Sequence, residues 1–205
     1  MTDQLIDLDV QRPAAARRVS LHPATAPLGA TSPRRPGRAP TLDLATLADI
    51  AVGLGRVDDL WRPHVAHDPL SRTSVRLVAT DAYEVWLLGW TAGQRVELHD
   101  HGGANAAFVV LEGELDEITL GFAGTTTKRL STGAVGTVPA GVVHDVVNAA
   151  SADATSLHVY SDPLETMTFF DPDGTRRHTD LVEQVPALVT STVQAQALHP
   201  ARALR

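Results

Sequence analysis

Two stretches decide the fold: residues 93–113, GQRVELHDHGGANAAFVVLEG, and residues 133–148, GAVGTVPAGVVHDVVN. Each is a set of short β-type runs cut by glycine and proline. On a strand, residues two apart leave the same face, so His99 and His101 project together. Two neighbouring imidazoles gain nothing as core filler, and a metal ion explains both. His144 follows the turn residues Pro139 and Gly141 and leads into the apolar pair Val146–Val147. That places it at a strand start that can face the His99/His101 pair across a small barrel. Three imidazoles leave coordination positions open, the arrangement of a catalytic rather than a structural metal site.

The surrounding sequence agrees with a barrel. From Val75 onward the runs VRLVAT, YEVWLLGW, RVELHDH, AAFVVLEG, ELDEITL, TTTKRLS, AVGTVPAG, HDVVNA, SLHVYS and TMTFF follow one another at short, regular spacing. Such spacing predicts a closed barrel or jelly roll. Ahead of it, Leu42, Leu44, Leu47, Ile50, Ala51 and Leu54 fall at helical spacing, with Gly53 and Gly55 to end the helix. A second short helix is expected from Asp58 to His64. Residues 1–40 are rich in Pro, Ala and Arg without apolar period and read as a disordered or loosely attached arm. Residues 41–180 form the domain. Residues 181–205 are a C-terminal tail, with a partial helix expected from Thr179 onward.

Composition bounds the function. Of the 205 residues, 43% are hydrophobic, enough for a core, but only 4% are aromatic, so aliphatic side chains fill it. A net charge of −7 argues against nucleic acid as partner. No run approaches the ~18 apolar residues of a membrane span, and the first residues, MTDQLIDLDVQRP, do not read as a secretory signal; a cytoplasmic location is expected. With no cysteine, any metal must be held by nitrogen or oxygen, and thiolate sites and cysteine nucleophiles are excluded.

The two stretches resemble the paired motifs of the cupin superfamily, in which a Gly, an HxH pair, a Glu and a second Gly are followed by a G…PxG…H…N segment. Gly93, His99, His101 and Gly113 match the first, with Ala106 in the glutamate slot; Gly133, Pro139, Gly141, His144 and Asn148 match the second in full. The expected fold is therefore all-β, a cupin double-stranded β-helix with short N-terminal helices. Loss of the carboxylate leaves three neutral ligands, which resembles the thiol dioxygenase branch and its cysteine dioxygenase family, bacterial type. Ser156, His158 and Tyr160 add to this: they share one face of a strand and are similar to the SxHxY triad of that family.

The resemblance implies Fe(II) held by His99, His101 and His144, with Tyr160 oriented by His158 and Ser156 as the catalytic group. Its substrates would be a small thiol, most simply L-cysteine oxidised to the sulfinate, and O2. It also implies an arginine upstream of the HxH strand to hold the substrate carboxylate through a bidentate fork. Arg76 is the expected residue, Arg72 the alternative; Ser74 stands where the family often has tyrosine, and Tyr160 has no cysteine to cross-link with. Two other readings stay open: a dioxygenase for another thiol such as 3-mercaptopropionate, and a non-catalytic cupin that binds a metal or small ligand. His22, His64, His67, His178 and His199 read as surface residues. Asp100, pointing away from the HxH pair, either orients a ligand or faces solvent.

Overall fold

A computed structural model of the chain describes residues 40–191. The basic arm through residue 39, with His22, and the end of the tail, with His199, lie outside the described residues.

The first helix, α1 (Leu44–Gly55), starts where Asp43 accepts a hydrogen bond from the Thr46 amide at 2.8 Å, satisfying one of the free N–H groups of the first turn. Leu47 and Ala51, one turn apart, are fully buried, and burying a leucine contributes about 1.5–3 kcal/mol. A second helix, α2 (Asp58–Trp61), runs directly into a 3-10 turn at Arg62–His64, so the expected second helix is present as two short pieces.

Twelve strands follow: β1 (Thr73–Thr80), β2 (Glu84–Trp90), β3 (Arg95–Asp100), β4 (Asn105–Glu112), β5 (Glu114–Gly121), β6 (Gly124–Ser131), β7 (Val135–Val138), β8 (His144–Val147), β9 (Ala154–Ser161), β10 (Thr166–Phe170), β11 (Arg176–Leu181) and β12 (Val189–Ser191). They form two six-stranded sheets, ordered β12-β1-β2-β9-β4-β7 and β11-β10-β3-β8-β5-β6. All the pairings are antiparallel except β12 on β1. This is the double-stranded β-helix expected from the sequence. The first ten strands fall on the ten predicted runs. The helix expected beyond Thr179 is not seen among the described residues; β11 continues to Leu181 and β12 closes on β1.

The central strands of the first sheet are buried on both faces, so they carry apolar side chains in succession. Along β4, Ala106, Phe108 and Val110 join the core inside the barrel, while Ala107 and Val109 join the core under α1 with Leu47, Ala51 and Trp61. Strand β9 is buried at all eight positions: Leu157 and Val159 face the helix, and Ser156, His158 and Tyr160 alternate with them toward the barrel interior. Gly136 on β7 permits this packing, because a Cβ there would collide with the Phe108 ring. Among the described residues, no helix is long and apolar enough to cross a membrane.

Candidate metal centre and its cavity

Strands β3 and β8 pair so that His99 stands opposite His144, and His101 follows just past the end of β3. The turn before His144 is made by the residues that flagged it. Gly141 adopts φ +76°, Val142 donates to the Pro139 carbonyl at 3.1 Å, and the Ala140 amide donates to Asn105 Oδ1 at 3.0 Å. Past β8, Asn148 donates to the carbonyls of Trp90 (3.2 Å) and Ala152 (2.8 Å), tying the strand's exit to β2. Asp100 accepts from the Gly102 amide at 2.9 Å and so shapes the turn carrying His101.

The three imidazoles are buried and offer nitrogens within 4.8 Å of one another. His99 Nε2 and His101 Nε2 are 3.1 Å apart, and His101 Nε2 and His144 Nε2 are 3.4 Å apart. Nitrogens bound at about 2.0–2.1 Å from one ion span edges of this length, so the donor set fits a single metal. The outward nitrogens set the tautomers. His99 Nδ1–H donates to the Glu97 carbonyl at 2.7 Å, and His144 Nδ1–H donates to Glu117 Oε1 at 3.1 Å, leaving both Nε2 lone pairs for the ion. His101 Nδ1 is buried and has no hydrogen-bond partner among the described residues. Burial, and then the neighbouring His144, bring His99 down to about 3; burial and the neighbouring histidines hold His101 well below its ordinary range. Both are therefore neutral at pH 7, the form that binds metal.

The site opens into a cavity of about 270 Å³ whose walls include Arg72, Ser74, Leu88, Trp90, His158 and Tyr160. Ser156 Oγ lies 2.9 Å from His158 Nε2, and Tyr160 Oη lies 3.4 Å from His158 Nδ1, so the three residues form one chain. Phe108 stacks on the His158 ring at 4.8 Å and 7°, fixing its plane. The Tyr160 ring meets His101 edge-on at 5.0 Å. Burial holds the Tyr160 phenol above its ordinary range.

The two candidate arginines, Arg76 and its alternative Arg72, lie in different surroundings. Arg76 is not among the residues lining the cavity; its Nη2 is 2.6 Å from Glu84 Oε2 and its Nη1 donates to the Val185 carbonyl at 3.1 Å. Glu84 is fully buried at the start of β2 and also accepts from the Leu164 amide, so this guanidinium is committed to an internal ion pair. The arginine in the cavity wall is Arg72, four residues earlier, its guanidinium 4.9 Å from the Trp90 ring centre. Burial pulls Arg72 below its ordinary range, and no carboxylate pairs with it among the described residues.

Residues 42–173, more than half of the chain, match the family described as cysteine dioxygenase type I. The chain belongs to that family. Among solved structures it is similar to a protein of Thermus thermophilus, at 22% identity over 50% of this chain and 93% of that one, TM-score 0.46. An RmlC-like cupin protein from Desulfovibrio desulfuricans is 24% identical over 48% of this chain and 90% of that one, TM-score 0.43. A recombinant oxalate oxidase, solved in complex with glycolate, is 17% identical over 50% of this chain; the chain spans 56% of its length, TM-score 0.43.

Several residues around the site of this cysteine dioxygenase family member escaped the sequence reading. Glu117 sits in the run ELDEITL, where nothing local singles it out from Glu114 and Asp116. Trp90 closes an apolar strand and looks like core. Glu84 did carry a signal: an acid opening an otherwise apolar run calls for a buried cation, and Arg76 on the neighbouring strand is that cation. His67 is half-buried rather than superficial, its Nε2 3.0 Å from the Ala154 carbonyl. His178 is exposed and stacks on Phe169 at 4.8 Å.

Proposed function

We propose that this protein is an iron-dependent thiol dioxygenase that oxidises a small carboxylated thiol, most simply L-cysteine, to its sulfinate with O2. One observation supports this reading above the others: a guanidinium without an acidic partner shares a cavity with three convergent imidazoles and a buried phenol. Arg72 is half-buried, and burial already disfavours its charge; a substrate carboxylate is the group that would offset that cost. Fe(II), when bound, supplies the redox chemistry that joins thiol sulfur and dioxygen. The protein's part is positional. His99, His101 and His144 hold the ion with uncharged donors, a ligand set suited to a substrate that brings a thiolate. Arg72 orients the carboxylate through a planar fork. Tyr160, set by His158 and Ser156, presents its hydroxyl toward the reacting end. Leu88, Trp90 and Val146 line the cavity with apolar surface that limits water.

The test is oxygen consumption by iron-loaded protein with L-cysteine, 3-mercaptopropionate and cysteamine. Stoichiometric O2 uptake with sulfinate product from a carboxylated thiol is expected. Turnover of 3-mercaptopropionate alone would shift the substrate within the same class. No oxidation of any thiol by iron-replete protein would leave a metal-binding cupin without this activity.

A further inference from the structure

The hydrogen-bond chain behind Tyr160 does not end at Ser156. Trp90 Nε1 lies 2.9 Å from Ser156 Oγ, and both residues are fully buried. An indole N–H can only donate, so the direction of this first bond is fixed by chemistry. Ser156 Oγ therefore accepts from Trp90, and its own proton needs an acceptor. Among the described residues, the acceptor in reach is His158 Nε2 at 2.9 Å. The reverse arrangement, with His158 Nε2–H donating to Ser156, aims two donors at one hydroxyl and strands its proton in a dry interior.

We infer that Trp90 is a positioning residue that sets the direction of the whole relay, so that Tyr160 offers a proton to the cavity rather than a lone pair. Each link follows from the one before. Ser156 donates to Nε2, so a neutral His158 carries its proton on Nδ1. Burial keeps His158 neutral, well below its ordinary range. Nδ1–H then donates to Tyr160 Oη across 3.4 Å. With one lone pair occupied from behind, the phenol proton is left to point at whatever anionic or oxygen atom lies near His101, whose ring the Tyr160 ring touches. This inference rests on the dioxygenase reading and deepens it: it adds Trp90 to the residues that orient Tyr160 at that site.

The polarity can be read without turnover, which keeps its failure separate from failure of the proposed activity. In long-range 1H–15N NMR spectra of the full chain, metal-free and zinc-loaded, His158 is expected as a single neutral tautomer with Nδ1 protonated and Nε2 bare. A His158→Gln spectrum assigns its signals among those of the nine histidines. A wild-type His158 protonated on Nε2 overturns the inference. Trp90→Phe removes the fixed donor and should cost His158 its single tautomer, with zinc binding intact and kcat, not KM, lowered in the iron form. Retention of the Nδ1–H tautomer in folded Trp90→Phe protein shows that Trp90 does not set the direction. Should that variant fail to fold, Ser156→Ala, which removes the donor to Nε2, is expected to shift the tautomer as well; an unchanged Nδ1–H signal there overturns the relay.

Discussion

Glu117 Oε1 lies 3.1 Å from Nδ1 of His144, and both side chains are buried. Strand pairing makes this contact: Glu117 stands opposite Val146, two residues from His144 on the same face of β8. A carboxylate behind an imidazole fixes its tautomer and raises its basicity as a ligand, and losing such a partner typically costs about 10–100-fold in metal affinity. Glu117→Gln keeps an acceptor but removes the charge, so it should weaken metal binding at the low end of that range, and Glu117→Ala at the high end. Competition titration with a chromophoric chelator reads both; an unchanged dissociation constant in Glu117→Ala would show the contact to be incidental.

Each of the three imidazoles should be needed for stoichiometric metal, since no carboxylate is present among them to compensate. His101 Nδ1 has no hydrogen-bond partner among the described residues, so its ring is held by packing alone, against His99, His144 and Tyr160. Elemental analysis after iron reconstitution is expected to fall well below one ion per chain for His99→Ala, His101→Ala and His144→Ala. Full iron in any of them would remove that residue from the site.

The metal-free protein should lose stability as it is acidified, and the imidazoles set the first part of the loss. His99 is brought down to about 3 from an ordinary 6.5, chiefly by burial. A group depressed in the folded state lets the unfolded chain bind more protons below its ordinary value, so its contribution is complete above pH 6.5 and is lost as pH falls toward 3. His101 and His158 act in the same direction. Unfolded carboxylates titrate near about 4, so the interval from pH 7 to 5.5 isolates the histidines. The urea midpoint should drop across that interval; a flat midpoint would show that these rings are accessible to protons in the folded chain.

Arg72 and Arg76 should separate cleanly by phenotype. Arg72→Ala should raise the apparent KM for cysteine steeply, since losing one partner of a desolvated charge pair costs on the order of 2–5 kcal/mol, and should affect cysteamine far less. Lys at this position should rescue poorly, because it lacks the planar fork. Arg76→Ala strands the buried Glu84 carboxylate and should cost about 3–5 kcal/mol of folding stability. Steady-state kinetics and urea unfolding distinguish the two, and a KM effect confined to Arg76→Ala would reverse the assignment.

Tyr160→Phe should keep fold and iron while slowing thiol oxidation or uncoupling it from oxygen uptake. Parallel measurement of O2 consumed and sulfinate formed checks this. Unchanged rate and coupling would leave the phenol with a packing role only.

Much of this protein is local pattern. Short runs rich in Val, Leu and Thr, broken by turn residues, specify the first ten strands, because strand propensity and turn chemistry act within a few residues. Period-two alternation along a strand puts His99 beside His101, and Ser156, His158 and Tyr160 on one face, whatever surrounds them. Strand β11, RRHTDL, has neither an apolar alternation nor the run of β-branched residues that marks the almost equally exposed β6, so nothing local signals it. The partners behind the site depend on register between strands distant in sequence. Arg72 and Arg76 lie on one short stretch and read alike; what separates them is that the fold brings a buried carboxylate, Glu84, to the second and none to the first. Glu117 is one acid of a charged run until the β5–β8 pairing sets it behind His144. Trp90 is one more apolar strand residue until the β2–β9 pairing places Leu88 opposite Ser156 and brings the indole within reach of its hydroxyl. Sequence determined which side chains leave a strand together, a matter of backbone geometry; tertiary structure decided which charges and donors meet, because that requires the strands to find one another first.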